Sequence, residues 1–300
     1  MIFFSLVLQN QTDMMQRTAG PVVMYLVVDS RARNYDRYPT PSQYRVDLPR
    51  KYFNVTDIRI VSAELPITFY SFCAASLSNT SMTVAVNGTS KTVTIPDGNY
   101  DGTSLSLALQ TALNAAFAQP TLTTFFTVTI DPITLAMTIS CSGGVTTSLA
   151  VDTTTALATG PRADWGLAYN CGFPRGVVTS GVVGATAGSM SVTGTQAVNV
   201  NTETYVLMCI DGLDNVDVAG LYGSGQSNKC FAKVTLNGSS GDVIYFDKPH
   251  LTHNRLNPPR DIVRIDTSWR FADGTLVDWK GCEHSFTLEI TCTETRSSST

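Results

Sequence analysis

Histidine is the side chain best suited to moving protons at neutral pH, and this chain has three, His250, His253 and His284. His250 and His253 have the H-x-x-H spacing that lets two imidazoles share a metal ion. They sit, however, in a Pro-flanked stretch, Lys248-Pro-His-Leu-Thr-His-Asn254, with no third ligand identifiable from sequence. They are read as a structural or interface pair, and no metal site is expected. No H-E-x-x-H, G-x-S-x-G or G-x-x-x-x-G-K-S/T occurs, so the usual handles of zinc hydrolases, serine hydrolases and nucleotide-phosphate sites are missing. Gly223-Ser-Gly-Gln-Ser-Asn-Lys229 imitates a phosphate loop loosely. It leads from a loop into an expected strand, so the helix N-terminus that would receive the phosphate is absent, and it reads as a plain loop. The expectation is a protein without catalytic residues or a cofactor.

Arg31, Arg33, Tyr35, Arg37 and Tyr38 form an aromatic and basic cluster. Such residues can stack bases along a phosphate strand, but they are also the types enriched where proteins grip one another. The whole chain decides between these: 20 Lys+Arg against 24 Asp+Glu give a net charge of −4, with no basic field to neutralise a phosphate backbone. The cluster is read as a protein interface, and no direct nucleic-acid partner is expected. Phe3 and Phe4 lie in the apolar opening Met1-Ile-Phe-Phe-Ser-Leu-Val-Leu8. That segment lacks the preceding basic residue and following small-residue site of a signal peptide. It is also far shorter than the roughly 18 apolar residues of a membrane span. It can dip into a membrane surface or pack on protein, so Phe3 and Phe4 join Arg31, Arg33, Tyr35, Arg37, Tyr38, His250 and His253 as candidate contact residues. Seven cysteines, at 73, 141, 171, 209, 230, 282 and 292, are odd in number and contain no C-x-x-C pair, which suits reduced, buried thiols. A bridge between Cys282 and Cys292 stays open. Trp165, Trp269 and Trp279 are conceivable sugar platforms but lie in separate segments.

The elements that position these groups read as strands. Period-two or β-branched runs fall at Val22–Val28, Tyr44–Leu48, Val55–Leu65, Tyr205–Ile210, Cys230–Leu236, Val243–Phe246, Ile262–Ile265 and Phe286–Ile290. Met82–Val86 and Lys91–Ile95 flank Asn87-Gly88, the strongest short hairpin signal, because both turn residues accept a positive φ. A second hairpin joins Phe125–Ile130 to Leu135–Ser140 through Asp131-Pro132. One helix is expected over about 103–118, where Leu105, Leu109, Leu113 and Phe117 recur at helical spacing and Asp101 or Thr103 can cap. It is read as a strut across a sheet that leaves Ser106, Gln110 and Asn114 exposed. Segments 156–176, 178–200 and 211–228 read as long loops or edge regions able to reach neighbours. The expected fold class is all-β, an antiparallel β-sandwich of jelly-roll type with one inserted α-helix and long loops. Residues 1–24 form an N-terminal extension, 25–292 the sandwich, and 293–300 a flexible tail. A division of the sandwich into two sub-lobes near 156–200 stays open. Only 15% of residues are charged against 43% hydrophobic, a surface suited to contact more than to solvation.

Several stretches resemble a known family. Asp29-Ser-Arg31, Arg37-Tyr-Pro-Thr-Pro41, Tyr44-Arg-Val-Asp-Leu-Pro49 and Ser62-Ala-Glu-Leu-Pro66 are similar to the opening of minor capsid proteins of nucleocytoplasmic large DNA viruses, in particular phycodnavirus-like ones. Ile95-Pro-Asp-Gly-Asn-Tyr100 with the helix after it, Pro258-Pro259, Leu276-Val-Asp-Trp-Lys-Gly281 and His284-Ser-Phe-Thr-Leu-Glu-Ile290 extend the likeness towards the C-terminus. The resemblance implies a β-rich virion protein that fastens major capsid protein capsomers, with other minor capsid proteins as partners. It places the chain on the inner side of an icosahedral shell around an internal membrane, and contact with that membrane stays open. It carries no active site. Three other readings remain: a penton jelly-roll protein at the vertex, a carbohydrate-binding β-sandwich, and a metal hydrolase using His250 and His253.

Overall fold

The Tyr44–Leu48 and Val55–Leu65 runs, expected as separate strands, are the two halves of one 24-residue strand that passes through Pro49. The computed structural model describes residues 20–118, 125–142, 148–154, 166–180, 189–201, 203–218, 229–247 and 254–293. Its strands in chain order are β1 (Pro21–Asp29), β2 (Gln43–Pro66), β3 (Ser81–Val86), β4 (Thr89–Thr94), β5 (Phe125–Ile130), β6 (Met137–Ser142), β7 (Leu149–Asp152), β8 (Val177–Ser180), β9 (Met190–Thr193), β10 (Tyr205–Ile210), β11 (Val216–Asp217), β12 (Lys229–Cys230), β13 (Ala232–Thr235), β14 (Val243–Phe246), β15 (Asn254–Arg270) and β16 (Ser285–Thr293). Helix α1 spans Gly102–Ala116 and a single turn, α2, spans Leu167–Asn170. Every pairing among these strands is antiparallel, so the fold is all-β with one long inserted helix, as the alternation implied. Among the described residues no helix is long and apolar enough to cross a membrane.

The largest sheet runs β1-β16-β2-β15-β10-β13, with β14 also on β2. Leu26 and Val28 from one end of it share a core with Val206 and Val234 from the other, so the sheet curls around its own apolar face. Bulges give the bend. Between Tyr52 and Asp47 the register of β2 shifts against β15, and Asn54, at φ 49°, marks a second irregularity. Asp261 holds this stretch by accepting from the Asn54 amide at 3.0 Å and pairing with Lys51 at 2.8 Å. β15 is also longer than the expected Ile262–Ile265, because Pro258 and Pro259 interrupt its ladder without ending it.

A second core lies wholly within residues 72–200. Two sheets enclose it, β4-β3-β7-β8 and β5-β6-β9, and α1 adds Leu105, Leu109 and Leu113. The chain therefore leaves the curled sheet after β2 and re-enters it at β10. Asn87 (φ 50°) and Gly88 (φ 77°) form the expected two-residue turn between β3 and β4. The β5–β6 turn is wider than expected: Asp131 caps it by accepting from the Ile133 and Thr134 amides, and β6 begins at Met137. The described part of the 156–176 segment, from Gly166 on, is less free than it reads, because Leu167, Cys171 and Phe173 plug this core; a single helical turn is too short to show a period. Gly172 is obligatory there, since a Cβ would come within 2.2 Å of the Gln196 carbonyl oxygen. Strands β8 and β9 occupy parts of the segment read as a connection, each at the edge of its sheet.

Helix α1 starts as expected: the Asp101 carboxylate accepts from the Ser104 amide at 2.7 Å in a capping box. Its polar face departs from expectation. Asn114 Oδ1 accepts from the Phe126 amide at 2.8 Å while its Nδ2 donates to the Phe126 carbonyl at 3.2 Å, and Gln110 Oε1 accepts from Val128 N at 3.1 Å. The amides that read as solvent-facing thus hydrogen-bond the open side of β5, which would otherwise present unpaired backbone. Leu109→Asp is expected to cost more than about 4 kcal/mol, because it buries an unpaired charge. The exposed Leu107→Asp should stay within about 0.5 kcal/mol. Denaturant unfolding of both variants checks this, and equal losses would contradict the placement of α1.

Candidate functional site

The loop between β1 and β2 carries all five residues of the Arg/Tyr cluster and is built from the chain's own charges. Asp29 starts it: Oδ1 accepts from the Arg31 amide at 2.9 Å, and Oδ2 pairs with the exposed Arg31 guanidinium at 2.5 Å. Those hydrogen bonds hold the Asp29 carboxyl below its ordinary range. Ser30 then stitches the loop to the far end of the chain, its amide donating to the His284 carbonyl at 2.9 Å while its hydroxyl accepts from the His284 amide at 2.9 Å.

Arg33 is the anchor. Its side chain is 3% exposed and forms an ion pair with Glu283. The guanidinium also donates to the Ser30 carbonyl at 2.8 Å and the Tyr38 carbonyl at 3.0 Å. A charge so far from water is tolerable only when its donors are satisfied and a counter-charge is in contact. Burial pushes the Glu283 carboxyl up, but hydrogen bonds from Arg33 and Ser30 outweigh it and leave the group below its ordinary value. Tyr35 lies with its ring 4.1 Å from the Arg33 guanidinium carbon, and its hydroxyl donates to Glu283 at 3.3 Å. The Arg37 guanidinium sits 5.4 Å from the Tyr38 ring, and the Arg37 amide donates to Asn34 at 3.1 Å. Arg33 is therefore internal, while Arg31, Tyr35 and Arg37 face outward from a loop fixed by buried bonds. Phe3, Phe4, His250 and His253 lie outside the described residues.

Beneath the loop is an aromatic block. His284 contacts Tyr44, Trp269, Trp279 and Phe286, with ring centroids 5.3 to 6.5 Å apart. Both tryptophans are fully buried, which removes them as sugar platforms; Trp165 lies outside the described residues. His284 Nε2 donates to the Pro41 carbonyl at 2.9 Å, and Nδ1 is buried without a hydrogen-bond partner. Sequence reasoning missed Glu283, since a lone carboxylate some 250 positions from Arg33 offers no local signal.

A recess of about 490 Å³ opens beside Tyr38 and Tyr44. Within it Arg45 pairs with Asp266 at 2.6 Å, and Arg270 donates to the Gly274 carbonyl at 2.7 Å. Burial raises the Asp214 carboxyl there and lifts the Cys209 thiol to about 11, far from the thiolate a nucleophile needs. All seven cysteines are free thiols, so Cys282 and Cys292 are not bridged. Among the described residues no group of three His, Cys, Asp or Glu side chains converges as a metal site.

The buried imidazole makes stability depend on pH. Burial lowers His284 to about 4 from 6.5, so between those values the unfolded chain binds a proton that the folded chain does not. Stability falls as pH drops through that window, by up to about 3 kcal/mol. Glu283 and Asp29 lose their contributions only below their ordinary values of 4.5 and 3.8. Melting measured from pH 7 to 4.5 should show the loss. His284→Gln, which keeps a donor for Pro41, should melt lower at pH 7 and respond less over that span; an unchanged slope would contradict the assignment.

The solved structures similar to this chain include two from virophages. The crystal structure of the selenomethionine-labelled mavirus penton protein is 10% identical with a TM-score of 0.49, covering 92% of this chain and 100% of that one. A chain in the cryo-EM structure of the Sputnik virophage is 11% identical with a TM-score of 0.41, covering 91% of this chain and 98% of that one. No curated protein matches. The model of DUF5901, a family of unknown function, matches residues 17–252. That match takes in β1, the Arg/Tyr loop and the whole second core, and on it the chain belongs to the DUF5901 family.

Proposed function

We propose that this chain is a non-enzymatic structural protein of a virus capsid, a minor capsid protein that fastens major capsid protein capsomers on the inner side of the shell of a large DNA virus. The observation that carries the reading is convergence. The stretches that resemble minor capsid proteins come from both ends of the sequence, and Asp29-Ser-Arg31, Pro41, Tyr44, Trp279 and His284 meet in the one block that fixes the Arg/Tyr loop. A fastening protein needs contact residues held rigid before assembly, because ordering them on binding subtracts from affinity. Tyr35 and Arg37 have the residue types that dominate contact energies and are presented by a loop already ordered by buried bonds. Phe3 and Phe4 belong to the same proposal as a contact with a neighbour or the inner membrane, and His250 and His253 as a contact with a neighbouring subunit.

The test is quantitative mass spectrometry of purified, salt-washed particles of the encoding virus, with copy number expressed against the major coat protein. Many wash-resistant copies are expected, in a ratio that separates a between-capsomer position from the vertices; absence from particles would end the reading. A Tyr35→Ala, Arg37→Ala double variant should melt close to the parent. Its particle-bound copies should fall about tenfold or more, since contact residues of this kind contribute about 2 kcal/mol each.

A further inference from the structure

Strand β1 is an edge. It pairs with β16 in unbroken register from Pro21 opposite Thr293 to Asp29 opposite Ser285, and no described strand pairs with its other side. Its outer face carries Val23 (49% exposed), Tyr25 (63%) and Val27 (70%). Proteins blunt open edges with lysines, bulges or a covering element. This chain covers β5 with the amides of α1, yet β1 has no charge from Pro21 to Val28 and no bulge.

We infer that the open side of β1 pairs with β1 of a second copy of this chain, antiparallel, about a two-fold axis at Tyr25. The strand is close to a palindrome around that residue: Met24 mirrors Leu26, Val23 mirrors Val27 and Val22 mirrors Val28. An antiparallel pair centred there sets each apolar side chain against one of the same or similar volume, the self-complementarity that an isologous contact requires. It also sets odd positions against odd ones, so the Val23, Tyr25, Val27 stripe continues across the junction on one face. The charges allow the approach. Two copies of a chain with net charge −4 repel, but this edge is neutral, Asp29 is held by Arg31 at 2.5 Å, and Glu289, opposite Tyr25, is held by Arg59 at 2.7 Å. The inference is independent of the capsid reading and needs only the purified chain.

Tyr25→Cys in the full chain is the direct probe. Facing residues of paired strands have Cα atoms about 4.5–5.5 Å apart, within the span a disulfide bridges. Mild oxidation should give a cross-linked dimer on a non-reducing gel, well above that from the unsubstituted chain or from Tyr245→Cys, an exposed site on β14. Val27→Lys should keep the parent's fold and weaken self-association in sedimentation equilibrium about tenfold, because in each copy a charged side chain then replaces the apolar cross-strand partner of Val23. Tyr245→Lys should leave association unchanged. A parent chain that sediments as a monomer throughout, Tyr25→Cys cross-linking no better than Tyr245→Cys, or cross-linking that appears only after removal of residues 1–19, would overturn it; the last would mean the chain's own N-terminal segment takes the edge.

Discussion

The backbone hydrogen bonding of β2 is the constraint on which the curled sheet depends. A strand of 24 residues in the middle of a sheet exposes donors and acceptors on both sides, and each must find a partner. β16 supplies one side from Val55 to Glu64, and β15 with β14 the other. The residues of those strands that pair with β2 lie 177 or more positions further along the chain, so the ladder closes only after the second core has been spanned. Loop-closure entropy must be met before these pairings return any stability, a topology that predisposes to slow folding. The bulges near Tyr52 and Asn54 follow from the same strand, because a flat sheet could not bring β1 and β13 to one core.

The Arg33–Glu283 pair and the aromatic block under it are the second-order consequence. Once β16 lies beside β2, the segment just before it, Trp279 to His284, is brought under the loop that precedes β2. Arg33 then finds its counter-charge, Ser30 its backbone partners and His284 the Pro41 carbonyl. Burial acts in opposite senses on the groups gathered there: it keeps the imidazole neutral, and it would raise the Glu283 carboxyl were the guanidinium not in contact. Rigidity of the exposed Tyr35 and Arg37 is a by-product of that buried arrangement rather than of the loop's own conformational preference.

The sheets around the two cores handle their edges differently. In the 72–200 region α1 completes β5 through Gln110 and Asn114. In the curled sheet β1 is left with an apolar outer face and no covering element among the described residues. Local chemistry places covering groups on one edge and self-complementary side chains on the other.

By itself the sequence determined what depends on neighbours along the chain: the all-β class, the Asn87-Gly88 turn, the Asp101-capped helix with its leucine stripe, and the central part of most strands. Each is fixed by interactions within a few residues, by φ preferences, capping or side-chain period. The sequence could not place Gln110 and Asn114 on β5, join the two halves of β2 through Pro49, or pair Arg33 with Glu283, because each is decided by which distant segment arrives alongside. The outer stripe of β1 was hidden for a related reason. Both parities of Pro21–Val28 are apolar, so alternation alone cannot say which set faces the core, and only the packing of Leu26 and Val28 against the rest of the sheet left Val23, Tyr25 and Val27 outside.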